Sequence, residues 1–351
     1  MFHENDPTGD VPEQFQMIDD RVNGIRGIIV VHSTALGPAA GGCRLWTYPG
    51  EPELNADAMR LARGMSYKNA LAGLPFGGGK AVLQRPPGEF DRAALFLALA
   101  EAVERLAGQY VTAEDVGTTL DDMKVVRTRT RYVAGLEHVP GRAGGDPSPW
   151  TALGVFLAMQ EAARTALGAE LRDLTVAVQG TGNVGAGLCR LLQGAGARLS
   201  VADVDSSRAQ GLSRELGASI ADVDSILDAE ADVLAPCALG GVLNADTIPR
   251  LKVRLVCGGA NNQLATGEDG RHLQRIGITY APDYLVNAGG IINVAAEYLG
   301  ETTEQVRERI GLIPQRLRAV LETSARSGES TQQLADAMAQ HVIAHAKAEA
   351  A

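Results

Sequence analysis

The run Leu174-Thr175-Val176-Ala177-Val178-Gln179-Gly180-Thr181-Gly182-Asn183-Val184-Gly185 constrains the fold more than any other part of the chain. A β-branched strand runs into Gly-x-Gly-x-x-Gly, and an amphipathic helix follows with Val184, Leu188, Leu191 and Leu192 on its buried side. The next strand, Arg198-Leu199-Ser200-Val201-Ala202-Asp203, ends in an acid. Each part has a task in dinucleotide binding. Gly180 permits a tight turn, Gly182 lets the backbone approach a pyrophosphate, and Gly185 lets the helix pack on the strand. Thr181, Asn183 and Val184 complete the loop, and the helix N-terminus favours the phosphate charge. Asp203 would accept hydrogen bonds from the adenosine ribose and repel a 2′-phosphate, so NAD is expected rather than NADP. Arg208 keeps NADP open as the alternative. A glycine triplet alone is weak, but strand, triplet, helix, strand and acid in register are specific.

A second stretch, Gly64-Met65-Ser66-Tyr67-Lys68-Asn69-Ala70-Leu71-Ala72-Gly73-Leu74-Pro75-Phe76-Gly77-Gly78-Gly79-Lys80, carries two lysines. Leu61, Met65 and Lys68 share one face of a helical pattern, which directs Lys68 toward the core side. Lys80 follows three glycines and leads into Ala81-Val82-Leu83, a short strand-like run. Desolvation and a second cation nearby would both lower a lysine pKa and make Lys80 a base near neutral pH. The bland alternatives are a snorkelling Lys68 and a Lys80 that ends a glycine turn. A phosphate loop is excluded, because Leu74 and Ala81 stand where that motif needs glycine and a hydroxyl.

The 351 residues suggest two domains, and 45% hydrophobic content suffices for two cores. A net charge of −10 argues against a nucleic-acid or anionic-membrane surface. Cys43, Cys189, Cys237 and Cys257 form no C-x-x-C pair, which fits reduced cytoplasmic thiols and no structural zinc; no metal site is expected. The start, Met1 to Asp6, lacks the basic and apolar regions of a signal peptide. The apolar run Ala93 to Ala100 is too short to span a bilayer.

The chain is expected to divide in the middle. Strands at Ile25–His32 and Ala81–Leu83 and helices near 53–72 and 91–107 come first. The stretch from His138 to Pro149 has the glycine and proline density of a hinge. A helix from Trp150, the βαβ unit and further strands at Asp232–Ala235, Val253–Cys257 and Gly277–Tyr280 follow, as a doubly wound sheet requires. The fold class expected is thus α/β with two domains, the second a Rossmann-type doubly wound NAD-binding domain. His341 and His345, at i and i+4 on a final helix from about Thr331 to Ala348, read as a solvated face.

Across nearly the whole length, the chain resembles the Glu/Leu/Phe/Val dehydrogenase family, most of all its leucine and phenylalanine dehydrogenases. The likeness rests on Leu36 to Arg44, Gly64 to Asn69, Leu74 to Lys80, Val111 to Thr118, Gly259 to Asn262 and Ala281 to Gly290. It implies NAD-linked, reversible oxidative deamination of an L-amino acid to a 2-oxo acid and ammonia. It assigns residues 1–145 to substrate binding and assembly into a homo-oligomer, 146–328 to NAD binding, and 329–351 to a helix returning to the first domain, with a cleft between the domains. By the same likeness, Lys68 pairs with the substrate carboxylate, Lys80 activates the attacking water, and Asp115 exchanges a proton with the amine. Gly42, Met65 and Asn262 help bind the substrate, and Thr151 and Asn261 the nicotinamide end of the cofactor. The residues alone do not separate Asp115 from Glu114; the resemblance selects Asp115. Thr119-Leu120-Asp121-Asp122 reads as a capping box, which makes Asp122 structural.

The resemblance places Ala40, Ala113, Ile291 and Val294 around the substrate side chain. In the family's glutamate branch a lysine stands at the position of Ala40 and a hydroxyl at that of Val294, so a glutamate carboxylate would lack a partner here. A leucine-type substrate is expected. Phenylalanine is the alternative, because Ala40 is smaller than the residue usual in leucine dehydrogenases. A non-catalytic NAD-binding sensor or scaffold is the alternative of another class, and the presence of Lys68, Lys80 and Asp115 speaks against it.

Overall fold

In the computed structural model, residues 11–20, 24–136 and 139–350 are described; the start of the chain and His138 of the expected hinge lie outside them. The chain forms two units, one of Met1–Gly145, Val294–Thr302 and Ala339–Ala351, the other of Asp146–Asn293 and Thr303–Met338. Residues 329–351, expected as one segment, are thus divided between the units at Met338.

The first unit is built on strands β1 (Gln14–Asp20), β2 (Ile25–Ser33), β3 (Ala39–Ala40), β4 (Cys43–Trp46), β5 (Gly77–Gln84) and β6 (Tyr110–Val111). Their order is β1-β2-β5-β3-β6, with β4 also on β5. β1–β2 and β2–β5 pair antiparallel, and β3 and β4 pair parallel to β5. Helix α1 (Glu51–Ala72) covers one sheet face, and α2 (Arg92–Arg105) and α3 (Leu120–Arg127) the other. This explains why β2 is apolar almost throughout: Ile28 and Val30 pack toward α1, Ile29 and Val31 toward α2. Thr119 and Asp122 form the expected capping box on α3, and Asp122 also receives a forked Arg92.

The glycines before Lys80 are a correction. They form no turn; Gly77, Gly78 and Gly79 lie inside β5, and none has a positive φ. Their reason is space. A Cβ on Gly77 would strike the Ser33 carbonyl, on Gly78 the backbone of Ser66, and on Gly79 the ring of Tyr110. Three bare positions let α1 and its neighbours close onto the strand.

The second unit begins with α4 (Ser148–Ala162), slightly earlier than expected, and carries β7 (Thr175–Gln179), α5 (Asn183–Gly194), β8 (Arg198–Ala202), α6 (Ser206–Leu216), β9 (Ser219–Ile220), β10 (Val233–Pro236), β11 (Leu255–Val256), α7 (Gly267–Arg275) and β12 (Thr279–Tyr280). The strands lie in the order β12-β11-β10-β7-β8-β9, all parallel. The chain reverses direction across the sheet between β7 and β10, the switch point at which such folds bind ligands. Helices α8 (Asp283–Val286), α9 (Gly289–Leu299), α10 (Thr303–Ile310), α11 (Ile313–Ser327) and α12 (Thr331–Ala350) complete the chain. His341 and His345 are exposed on α12. No helix among the described residues is long and apolar enough to cross a membrane.

Candidate active site

In the first unit, the segment from β3 to β4 threads between β5 and residues 110–116. Gly41 and Gly42 sit at its middle. A Cβ on Gly41 would meet the Gly79 carbonyl and the Met65 side chain; on Gly42 it would meet Glu114 and Asp115. Tyr110 holds this crossing: its buried hydroxyl donates to the Gly41 carbonyl at 2.5 Å and accepts from the Ala81 N–H at 3.0 Å. Asn69 on α1 donates to the Gly77 carbonyl at 2.6 Å and more loosely to that of Ala40.

Lys80 is buried on β5, and its ammonium lies 2.9 Å from Asp115 Oδ2. The charge it touches is therefore a carboxylate, a partner that the lysine spacing did not disclose. Arg44 Nε reaches the same oxygen at 3.3 Å, while its NH1 reaches Asp57 at 3.0 Å. Burial would push the Asp115 carboxyl up, but the Lys80 ammonium and the Arg44 guanidinium outweigh it and hold it at about 2. The turn after it is closed by Gly117, at φ +83°, and by the Thr118 hydroxyl, which accepts from the Asp115 N–H at 2.8 Å. Glu114 is exposed, so the structure separates the two neighbouring acids. Lys68 follows Met65 by one turn of α1, and both are half-buried. Ala40 and Ala113 are buried nearby in the threaded strands, and Val294 is half-buried on α9, one turn after Ile291.

In the second unit, the glycine loop fits a dinucleotide. Gly180 has φ +94°, and a Cβ there would press on Cys237 and Ala238 at the end of β10. Nothing lies within 4 Å of a Cβ on Gly182, which leaves the room a pyrophosphate needs. A Cβ on Gly185 would collide with the Gly180 carbonyl. Asn183 and Val184 open α5, and Val184 packs against the backbone of Gly259. Asp203 turns inward: its Oδ2 accepts from the Thr181 N–H at 2.6 Å and from the Thr181 hydroxyl at 3.0 Å. Its Oδ1 accepts from the Asp205 N–H at 2.8 Å, which leaves about one lone-pair site of the usual four for a ribose hydroxyl. Arg208 pairs with Asp205 at 3.3 Å.

Thr151 packs against Gly290 at the start of α9. Asn261 Oδ1 accepts from the buried Asn287 amide at 2.9 Å. Asn262 holds a left-handed backbone at φ +52°, secured by its N–H on Asp283 at 2.7 Å and its carbonyl on the Gly241 N–H at 2.7 Å. Val204 and Leu239, which follow β8 and β10, are large apolar side chains left exposed at this end of the sheet. Among the described residues, no cluster of His, Cys, Asp and Glu could hold a metal ion.

Two family models cover the chain: the dimerisation domain of Glu/Leu/Phe/Val dehydrogenases matches residues 10–132, and the Glutamate/Leucine/Phenylalanine/Valine dehydrogenase domain matches 146–212 and 207–350. The chain belongs to the Glu/Leu/Phe/Val dehydrogenase family. A leucine dehydrogenase of Thermoactinomyces intermedius is 46% identical, over 94% of this chain and 90% of the relative. A valine dehydrogenase of Streptomyces coelicolor is 43% identical, over 95% and 93%. The crystal structure of L-tryptophan dehydrogenase from Nostoc punctiforme superposes with a TM-score of 0.83 at 38% identity, covering 96% of this chain and 97% of that one. As a member of the Glu/Leu/Phe/Val family the chain is an amino acid dehydrogenase, an oxidoreductase. Sequence reasoning gave no role to Arg44, Asn69, Tyr110 or Thr118, all of which fix the site. Only Arg44 carried a signal, a lone cation directly after Gly41-Gly42-Cys43.

Proposed function

We propose that the protein catalyses the NAD-dependent, reversible oxidative deamination of a branched-chain L-amino acid, leucine foremost, to its 2-oxo acid and ammonia. The observation that carries this reading is the buried Lys80–Asp115 ion pair beside Gly41 and Gly42. In this reading the first unit binds substrate and the second binds NAD. NAD, when bound, takes up the hydride from the substrate Cα. Lys68 receives the α-carboxylate. Asp115, anionic in the resting site, takes a proton from the α-ammonium so that the neutral amine can push out the hydride, and later returns a proton to the carbinolamine nitrogen so that ammonia can leave. Lys80, once its ammonium has given up a proton through Asp115, holds the water that attacks the iminium carbon and takes that water's proton. Gly42, Met65 and Asn262 orient the substrate, and Thr151 and Asn261 the nicotinamide end of NAD. Gly180 to Gly185 receive the pyrophosphate, and Asp203, braced on Thr181, receives the ribose. A charge there disfavours NADP.

Ala40, Ala113, Ile291 and Val294 offer no partner to a charged side chain, so glutamate is rejected. The leucine and valine dehydrogenases among the relatives support an aliphatic substrate. An aromatic substrate is the second reading, favoured by the small Ala40 and by the likeness to a tryptophan dehydrogenase. A cytoplasmic homo-oligomer is proposed from the four free cysteines and the dimerisation domain of the family model.

The test is initial-rate NAD reduction with leucine, valine, isoleucine, phenylalanine, tryptophan and glutamate, with Lys80→Ala as control. Aliphatic preference, lost by about 10²–10⁴-fold in kcat in the variant, is the expected outcome. A preference for phenylalanine or tryptophan would move the assignment to the aromatic branch. Binding of NAD with silence across the panel would sink it in favour of a sensor.

A further inference from the structure

Glu297 is a half-buried acid on α9 to which the chemistry above gives no task. Its Oε1 accepts from the Leu136 N–H at 2.9 Å and its Oε2 from the Gly135 N–H at 3.1 Å, so both carboxylate oxygens grip one short backbone segment. Gly144, at φ +124°, lies against the same carboxylate, and a Cβ there would stand 3.1–3.2 Å from its atoms. Burial raises this carboxyl, while the two N–H donors pull the other way.

The gripped segment is the neighbour of a proposed pocket wall. Val133 bridges Thr112, and the Ala134 N–H donates to the Thr112 carbonyl at 2.8 Å. A Cβ on Gly135 would lie 3.9 Å from the Ala113 side chain and 3.8 Å from the Glu114 N–H. Val294 precedes Glu297 by one turn, so the two share a face of α9. The helix face that carries Val294 is thereby fastened, through Glu297, to the segment that backs Ala113.

We infer that Glu297 is a positioning residue that holds Val294 against the Ala113 wall and so sets the width of the side-chain pocket. This rests on the proposed substrate site. Without the carboxylate, two N–H groups lose their acceptors and α9 is free to shift its register against residues 133–136. A pocket of one fixed width would then become one that accepts several.

The experiment compares kcat and KM for leucine and for phenylalanine in the wild type, Glu297→Ala and Glu297→Gln, all well below their melting temperatures. In Glu297→Ala the leucine-to-phenylalanine ratio of kcat/KM should change by about 10-fold, the effect of altering a pocket by one methylene. The change should appear mostly in KM for the amino acid, with KM for NAD unaltered. Glu297→Gln keeps one acceptor oxygen and the same shape, and should restore part of the ratio. If Glu297→Ala does not fold, Glu297→Gln alone decides, by a ratio shifted in the same direction. An unchanged ratio in an active, folded variant would overturn the inference while leaving the proposed function intact. A wild type inactive on both amino acids would overturn the proposed site and the inference with it.

Discussion

Gly77, Gly78 and Gly79 in the first unit have ordinary strand backbone, whereas Gly180 in the second unit has φ +94° and Gly182 faces open space. The first set is required because other atoms already occupy the place of a side chain. The second set contains a conformational glycine, an approach glycine and, in Gly185, a packing glycine. The same residue type thus builds a dense, ion-paired site in one unit and an open loop in the other. The dense site fixes charges that must not move; the loop leaves room for a molecule that must arrive.

The largest expected effect tests the charges. Asp115→Asn should lower kcat by about 10²–10⁴-fold while binding of the reduced cofactor NADH, followed by its dihydronicotinamide fluorescence, stays as in the wild type. The two glycine sets come next. Gly78→Ala should lose about 3 kcal/mol or more of stability in chemical denaturation, because a methyl would overlap the Ser66 backbone and not a yielding side chain. Gly182→Ala should keep the wild-type melting temperature yet raise KM for NAD about tenfold or more, one charge-assisted hydrogen bond being worth ~1.5–3 kcal/mol. If both variants unfold, or neither does, the two glycine sets do not differ in this way.

The smallest effect is one of pH. Asp115 is held at about 2 in the folded chain, below its unfolded value of ~3.9. The ion pair therefore contributes stability above about pH 4, and that contribution is lost as the pH falls toward 2, roughly 2.5 kcal/mol in all. Denaturation midpoints taken at about pH 6 and about pH 3 should diverge more in the wild type than in Asp115→Asn. Equal divergence would mean that other carboxylates govern acid sensitivity.

What could be read from the sequence follows the same divide. The βαβ unit is legible because its signals are local: the turn at Gly180, the helix from Asn183 and the acid after β8 all lie within one supersecondary motif. The run before Lys80 misleads, because glycine next to glycine reads as a turn unless one knows that Ser66, Ser33 and Tyr110 lie across from it. Asp115 and Glu114 are alike in sequence and differ in where the fold puts them: Asp115 is half-buried against Lys80 and Arg44, and Glu114 is exposed. The inward turn of Asp203 onto Thr181 is equally silent, since it depends on a loop geometry that no spacing encodes. Short strands are overestimated: β11 and β12 span two residues each, within the longer strands expected at Val253–Cys257 and Gly277–Tyr280.

The first unit is assembled from three separated pieces of chain, the last of them Ala339–Ala351. During synthesis this has an order-of-events consequence. Residues 1–145 leave the ribosome long before the α9 segment that carries Glu297, and longer still before residue 339, so the first unit lacks two of its pieces while its sheet and covering helices are already made. The unit that begins the chain is complete only once its third piece, Ala339–Ala351, has been made.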